Sequence, residues 1–314
     1  MKHINKTMMK KVLAAVSSVA LGLGIGGAAH AGALSYSHLL IDNFIATNSG
    51  GTQYDLSDFD NIQINNTSST TASINGVGLP LNTTLDTTSG SGNANDNLSC
   101  TGGPCAGIVD DTFAQQPAPI SDTFARGDTL LLGAIITGVP GATQDFVTAH
   151  SLSEGQTSIT GFGEGNSSVG TSTEFSFSLA NDDTITFEFD ATPFIDVLLH
   201  QDQVSVFGSL NFSISIFDNT DNVDVYAFAP IGINTSRSLN STGQITYNPG
   251  TLMFSDTTPL LLADHTYTLT IDHRTRTTFE AEKEVPEPSI LILLGAGLLG
   301  MGVIRRRGGR ALSV

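Results

Sequence analysis

Hydrophobic and polar residues alternate with a period of two along much of the chain after residue 125. In residues 175–179 Phe and Leu alternate with Ser, and in residues 185–189 Ile and Phe alternate with Thr and Glu. The turn-forming residues Asn181–Asp183 lie between these two stretches. A period of two separates the apolar and polar side chains of a β-strand onto opposite faces, so the pattern predicts a β-hairpin with one apolar face.

The same alternation recurs further along the chain. Apolar residues of one parity run from Val204 to Ile216, which predicts one long strand, or two strands joined at a bulge near Gly208. Residues 223–229 and 267–271 repeat the pattern. About ten antiparallel strands separated by Gly, Asn and Asp turns predict an all-β fold, an antiparallel β-sandwich of jelly-roll type. The one helix expected between the two ends of the chain is a short one at residues 110–114.

The region before this core has a different composition. Residues 47–107 are rich in Asn, Ser, Thr and Gly and have few apolar anchors. Such a composition buries too little apolar area to offset the entropy cost of ordering. We expect either a loosely ordered insertion there or edge strands with long loops. The predicted organisation is an N-terminal part with polar loops over residues 32–124, followed by the sandwich core over residues 125–284.

Charge limits the partners of the chain. Its 314 residues include 13 basic and 30 acidic side chains, a net charge of −17. Between residues 32 and 284 five basic residues oppose 29 acidic ones, so this part alone carries −24. Nucleic-acid binding needs clustered Lys and Arg and is excluded. An acidic polysaccharide would be repelled unless divalent cations bridge it to the protein.

The first 31 residues have the pattern of a secretory signal peptide. Four lysines at positions 2–11 precede the apolar stretch 12–27. Ala29 and Ala31 then supply the small residues at −3 and −1 that signal peptidase requires, which predicts cleavage after Ala31. The alternative is an uncleaved membrane anchor.

The C-terminal residues 285–314 combine three features. Pro286, Glu287 and Pro288 come first, residues 289–304 form an uncharged apolar run, and Arg305, Arg306 and Arg307 follow. As a helix the run would be about 24 Å long, slightly short of the roughly 30 Å hydrocarbon core of a bilayer. The arginines would remain in the cytoplasm and leave residues 32–284 outside the inner membrane. An ordinary tail anchor is the alternative.

This arrangement resembles the PEP-CTERM sorting domain of Gram-negative bacteria. The resemblance implies processing by exosortase, a membrane transpeptidase-like enzyme that is thought to cut near the Pro-Glu-Pro. It also implies a transient inner-membrane anchor, followed by delivery to the outer surface or the extracellular matrix. Proteins with this domain typically occur in species that make exopolysaccharide or biofilm.

The middle of the chain has a second resemblance. Residues 110–114, with the sequence Asp-Asp-Thr-Phe-Ala, precede residues 124–128 and then the Phe-Ser-Phe-Ser stretch. This order resembles an uncharacterised PEP-CTERM subfamily that has an acidic Glu-Asp-Ser-Ala-like motif. The resemblance implies a shared β fold and export route, and no known activity.

The chemistry-bearing residues include one pair of cysteines. Cys100 and Cys105 are separated by a Thr-Gly-Gly-Pro turn, and in an oxidising compartment we expect them to form a local disulfide. No nucleophile elbow, P-loop or His-Glu-x-x-His motif is present, so we assign no catalytic residue. The absence of Trp counts against a sugar-stacking active site.

Calcium is the candidate cofactor, although the sequence establishes none. Asp218, Asp221 and Asp224 cluster in a loop between two predicted strands, and such loops offer the oxygen ligands that Ca²⁺ takes. A second acidic run, residues 55–61, is a weaker candidate. Asp and Asn are also ordinary turn residues, so turns remain the alternative for both runs.

Taken together, these patterns predict an exported, non-enzymatic cell-surface or matrix protein. It would be structural or adhesive, processed by signal peptidase and exosortase, and associated with exopolysaccharide or biofilm. A calcium-dependent carbohydrate-binding module is the alternative, on the fold-level ground that jelly rolls host such sites. A hydrolase acting on exopolysaccharide is the less favoured third possibility.

Overall fold

The computed structural model describes residues 32–75, 88–89, 94–116, 123–133, 147–157, 163–200 and 205–281. These residues form 14 strands, all within one unit of the chain. The strands are β1 Ala33–Thr47, β2 Phe59–Ile74, β3 Thr88–Ser89, β4 Ala94–Gly102, β5 Phe124–Leu132, β6 Val147–Gln156, β7 Gly163–Leu179, β8 Thr186–Leu199, β9 Ser205–Asp218, β10 Val223–Phe228, β11 Thr235–Leu239, β12 Gly243–Tyr247, β13 Leu252–Thr257 and β14 Tyr267–Ala281.

The strands form two seven-stranded antiparallel sheets. The first sheet has the order β12-β8-β1-β6-β5-β4, with β13 also pairing with β8. The second has the order β10-β9-β14-β7-β2-β3, with β11 also pairing with β9. The sheets pack face to face, as the Phe189 ring of β8 against the Phe212 ring of β9 illustrates, with centroids 4.8 Å apart. The predicted all-β antiparallel sandwich is confirmed.

The strands that form this sandwich come from both sides of residue 125. Ten of them, β5 to β14, cover residues 124–281, as the alternation predicted. The first sheet, however, has β1 at its centre, between β8 and β6. In the second sheet β2 pairs with β7 from Phe59 to Ile74. The polar region 47–107 therefore contributes a full-length strand beside the edge of the second sheet.

The core changes character along the strands. Near one end it is aromatic, with Phe44, Phe187, Phe189 and Phe212 in mutual contact. Elsewhere the sheets approach until side chains of one bond to the backbone of the other: the Ser153 hydroxyl donates to the Thr275 carbonyl across 3.0 Å.

Gly208 belongs to this close approach. A Cβ placed on it would lie 2.6 Å from the Ser37 hydroxyl oxygen and 2.8 Å from a methyl carbon of Ile195. β9 passes through Gly208 without a register shift, so the single long strand is confirmed and the bulge is not found. The position needs glycine because the facing sheet is too near for a side chain. Val204, the first residue of the predicted strand, lies outside the described residues.

Three local expectations are wrong. β7 and β8 belong to different sheets, so residues 175–189 connect the two layers and do not form a hairpin. In β10 a register shift between Asp224 and Tyr226 turns Tyr226 inward, while Val223 is exposed. Residues 110–114 form a turn followed by irregular backbone instead of a helix. Alternation alone does not tell a hairpin from a crossing between sheets, because both place the apolar residues in the core.

Candidate functional site

The residues predicted to direct export lie outside the described part of the chain. These are Ala29 and Ala31 at the signal cleavage site, Pro286, Glu287 and Pro288, the apolar run 289–304, and Arg305, Arg306 and Arg307. Within the described residues the helices are two short 3-10 turns, Leu56–Asp58 and Gly103–Gly107. Neither could reach across a bilayer.

The predicted calcium loop is only partly assembled. Carboxylate oxygens of Asp218 and Asp221 lie within 4.8 Å of each other and of a ring nitrogen of His265, which the sequence did not associate with them. Asp224 is exposed on β10 and is not part of this cluster. The bulge in β10 and the turn before it separate Asp224 from the other two aspartates.

Both carboxylate oxygens of Asp218 accept hydrogen bonds from the protein. One carboxylate oxygen accepts from the backbone N–H groups of Thr220 and Asp221, and the other accepts from Nδ1 of His265 across 2.6 Å. Burial alone would raise the pKa of Asp218, but these hydrogen bonds lower it below its ordinary value. The hydrogen bond to Asp218 raises the pKa of His265. The cluster is thus organised as a turn cap that holds β9, β10 and the segment before β14 together.

The other predicted acidic run is also a cap. The Asp55 side chain accepts from the backbone N–H of Ser57, and the Asp58 side chain accepts from the N–H of Asp55. This is a reciprocal capping box at the start of a 3-10 turn. It accounts for two of the acidic residues without a ligand.

The two cysteines are joined. Cys100 and Cys105 form a disulfide with their Cα atoms 5.7 Å apart, at the end of β4 and within the following 3-10 turn. This places a covalent link just before residues 108–116, which we name the strap. The strap runs over the outer face of the first sheet.

A buried ion pair anchors the strap. Arg126 on β5 and Glu154 on β6 are directly opposite in the sheet, both side chains are fully buried, and Nε donates to the Glu154 carboxylate across 2.7 Å. The remaining guanidinium nitrogens donate to the Thr112 and Ala114 carbonyls of the strap. Glu154 also accepts from the backbone N–H of Gln116. The ion pair therefore connects the sheet to three points on the strap, two through Arg126 and one through Glu154.

Apolar and aromatic residues complete the contact between strap and sheet. Leu34, Tyr36 and Leu152 form a small buried cluster that is separate from the main core, and Phe113 of the strap packs on it. The Phe113 ring stacks on the His150 ring, and the His150 and His38 imidazoles contact each other through their Nε2 atoms. Burial lowers the pKa of His38 to about 4 and that of His150 to about 3, so both are neutral near pH 7.

The outer face of the second sheet has a different composition. Its outward positions on β2, β7, β14 and β9 carry mostly Ser, Thr and Asn; they include Asn65, Thr67, Ser69, Thr71, Asn166, Ser168, Ser172, Ser209, Asn211, Ser213, Thr268, Thr270 and Thr278. We name this surface the polar face. Four strands about 4.8 Å apart give it a width of about 14 Å. At one end it opens into a pocket of about 290 Å³ lined by residues that include Asn166, Ser205 and Thr278.

Some of its hydroxyl groups are fixed in place. The Thr67 and Thr71 hydroxyls donate to the Ser172 and Ser168 carbonyls of the neighbouring strand, across 3.2 and 3.0 Å. Each hydroxyl oxygen keeps lone pairs that can accept a hydrogen bond from a ligand. The outward positions of β2, β7 and β14 carry no aromatic residue, whereas β9 carries Phe207 and Phe217, so recognition on the first three strands would depend on hydrogen bonds and charge.

Two arginines stand in the middle of the polar face. Arg274 and Arg276 are exposed on β14, opposite Gly170 and Ser168 of β7 and Asn211 and Ser209 of β9. Neither forms an ion pair with another described residue. The described residues contain two other arginines: Arg126 is buried, and Arg237 lies 4.5 Å from the centroid of the Tyr247 ring. The positive charge exposed by the sandwich is thus concentrated on this face.

Comparison with known families adds a finding at the C-terminus. Residues 284–307 match the family model of the PEP-CTERM protein-sorting motif. The chain carries a PEP-CTERM sorting motif. The match contains the Pro-Glu-Pro, the apolar run and the three arginines, so the predicted recognition is confirmed. No curated protein and no solved structure matches the chain.

The PEP-CTERM motif marks the protein as exported and targeted to exosortase, with a transient membrane anchor. It covers 24 residues, so it carries no information on the sandwich itself. The resemblance of residues 110–128 to a PEP-CTERM subfamily stays a prediction, although in the structure its acidic motif lies in the strap and its Arg126 is the anchor.

The sequence analysis identified neither the buried Arg126 nor the exposed pair Arg274 and Arg276 of this PEP-CTERM protein. A usable signal was present for the polar face: Arg274 and Arg276 have the parity opposite to Tyr267, Leu269 and Ile271, so they must point outward from the same strand. For Arg126 no comparable signal exists, because a strand residue beside Ala125 and Gly127 gives no indication of what covers the outer face.

Proposed function

We propose that this protein is a non-enzymatic component of the cell surface or extracellular matrix that binds exopolysaccharide through the polar face. The observation that carries the proposal is the pair Arg274 and Arg276, exposed in the centre of a broad surface of Ser, Thr and Asn. Polysaccharide hydroxyls can exchange hydrogen bonds with such side chains, and arginine adds hydrogen bonds to sugar hydroxyls and bidentate, charge-assisted bonds to carboxylate-bearing sugars. Glu164, Glu174, Asp272 and Glu280 also lie at outward positions of β7 and β14, so the two arginines are the attractive charges on a face that also carries acids.

The test is co-sedimentation of the full chain, in mild detergent, with exopolysaccharide isolated from its host. A double variant, Arg274→Ser with Arg276→Ser, is expected to reduce the bound fraction at least tenfold at low salt. Arg237→Ser is the matched control, since it removes an arginine that stacks on Tyr247 and does not belong to the polar face. Equal retention of the double variant and the native chain would overturn the proposal.

The export part of the proposal has its own readout. We expect the protein recovered from the host matrix to begin at Gly32 and to end near Pro286–Pro288, as intact mass and terminal sequencing would show. Additional mass would reveal glycosylation of the Ser- and Thr-rich surface. A chain that retains Arg305–Arg307 would instead be a permanently anchored membrane protein.

The alternative, calcium-dependent carbohydrate binding through the loop at Asp218, predicts glycan retention that is lost with Asp221→Ala. The hydrogen bonds to both oxygens of Asp218 count against this alternative, because a cation bound between Asp218 and His265 would have to displace the His265 proton. Binding to glycan that survives chelation and the Asp221→Ala change would support the polar face.

A further inference from the structure

Asp128 is a carboxylate in an unusual position. It lies on β5, two residues after Arg126 and on the same outer face of the first sheet, and it is fully buried. Neither of its oxygens has a hydrogen-bond partner of ordinary geometry within the described residues. A buried ionised carboxylate without partners is costly, so native proteins rarely leave one uncompensated.

Two more carboxylates approach it. Oxygens of Asp110, Asp111 and Asp128 lie within 4.8 Å of one another, where the strap crosses the outer face of the first sheet at β5. Asp110 is held there by the backbone N–H of Leu98, which donates to its Oδ1 across 2.7 Å. Leu98 belongs to the irregular part of β4, where the register against β5 shifts between Asp96 and Ser99. The three acids thus come from a strand and from the segment that covers it.

The nearest cation does not neutralise them. Arg126 directs its guanidinium nitrogens to Glu154 and to the Thr112 and Ala114 carbonyls. Its single positive charge is matched by Glu154, so Arg126 does not compensate the buried Asp128. Burial, followed by the repulsion from Asp110 and Asp111, raises the pKa of Asp128 to about 7, although Arg126 and the Thr112 N–H oppose the rise.

We propose that Asp110, Asp111 and Asp128 bind a calcium ion that fastens the strap to the first sheet. Ca²⁺ takes six to eight oxygen ligands in flexible geometry, and Asp110 and Asp111 are exposed enough for water to complete the shell. Mg²⁺ is disfavoured because it demands near-octahedral geometry and dehydrates reluctantly. The site is distinct from the Asp218 loop and independent of glycan binding at the polar face.

Two readouts test the site in the full chain, purified in mild detergent and freed of metal with EDTA. Calorimetric titration with CaCl₂ is expected to give one ion per chain, and MgCl₂ at least tenfold weaker binding. Chymotrypsin, which cuts after aromatic residues, is expected to cleave after Phe113 of the strap at least tenfold more slowly with calcium than without it.

Asp128→Asn keeps the shape of the side chain, and it is expected to abolish both the titration and the protection. Asp111→Asn alters an exposed residue that the core does not need, and it should weaken both effects at least tenfold. Asp221→Asn, which removes an exposed acid of the other cluster, is the control that should leave them unchanged. Absence of calcium binding, protection that survives Asp128→Asn, equal binding of Mg²⁺, or loss of binding in Asp221→Asn would overturn the proposal.

Discussion

The two outer faces of the sandwich differ in what covers them. The strap covers the outer face of the first sheet and buries Arg126, Glu154 and the His38–His150 pair. Among the residues that the structure describes, no segment covers β14 on the outer face of the second sheet, and the arginines of β14 are exposed among hydroxyl groups. The same residue type therefore serves stability on one face and is available for binding on the other. Covering by a segment of the chain itself, and not strand composition alone, decides the role of a charged residue.

An arginine on each face can be replaced by methionine to compare their effects on stability. The largest loss is expected from Arg126→Met, beneath the strap. The change leaves the buried Glu154 without its partner and frees two strap carbonyls, so the free energy of unfolding should fall by about 3–5 kcal/mol. Urea unfolding followed by circular dichroism would measure the loss. A decrease below about 1 kcal/mol would mean that the strap is not anchored by this pair.

The disulfide before the strap is expected to have the next largest effect. Replacing both Cys100 and Cys105 by Ser opens a very short loop, which should cost about 2 kcal/mol in the same urea experiment. Because the link lies at the strap end of β4, chymotryptic cleavage of the strap should also accelerate. Unchanged cleavage would separate the disulfide from the cover of the first sheet.

Lowering the pH should change the free energy of unfolding with opposite signs through the His38–His150 pair and through His265. Between pH 6.5 and about 4 the unfolded chain protonates His38 and His150 while the folded chain does not, so the free energy of unfolding falls as pH falls, by about 1 kcal/mol per pH unit for each. His150→Gln should reduce this slope. His265, whose pKa is raised by Asp218, gives stability that is fully present below pH 6.5 and is lost as pH rises through its folded value. His265→Gln should therefore lower the free energy of unfolding below pH 6.5 and leave the slope between pH 6.5 and about 4 unchanged.

The smallest effect on stability is expected on the polar face. Arg274→Met removes an exposed side chain without an ion pair, so the free energy of unfolding should change by no more than about 0.5 kcal/mol. Paired with Arg126→Met, it compares one substitution in a covered and an uncovered setting. A loss of several kcal/mol from Arg274→Met would show that the two faces do not differ in this way.

Much of the sandwich could be predicted because its inward residues are strongly apolar. The alternation of Val206, Leu210, Phe212, Ile214 and Ile216 is enough to identify β9 as a single strand with one buried face. β2 could not be identified in this way, since its inward positions include Asn66, Ser68 and Thr70, which are buried although polar. The pairing of strands also could not be predicted, because the crossing from β7 to β8 has the same local pattern as a hairpin.

The candidate sites were less predictable for a different reason. Asp218 and Asp221 are close in sequence, and the structure does bring them together, but His265 joins them from a distant loop. Asp110 and Asp111 meet Asp128 only because the strap folds back over β5. Contacts between residues that are distant in sequence depend on tertiary topology, whereas the sorting motif is a contiguous segment that the sequence shows in full.

The most direct test of the account is to label arginines of the full chain with phenylglyoxal, with and without the host exopolysaccharide, and to locate the adducts by mass spectrometry. We expect Arg274 and Arg276 to react in the free protein and to be protected by the polymer, while Arg126 remains unlabelled in both conditions. Equal labelling of Arg274 and Arg276 with and without polymer, or ready labelling of Arg126, would contradict an open binding face opposite a covered one.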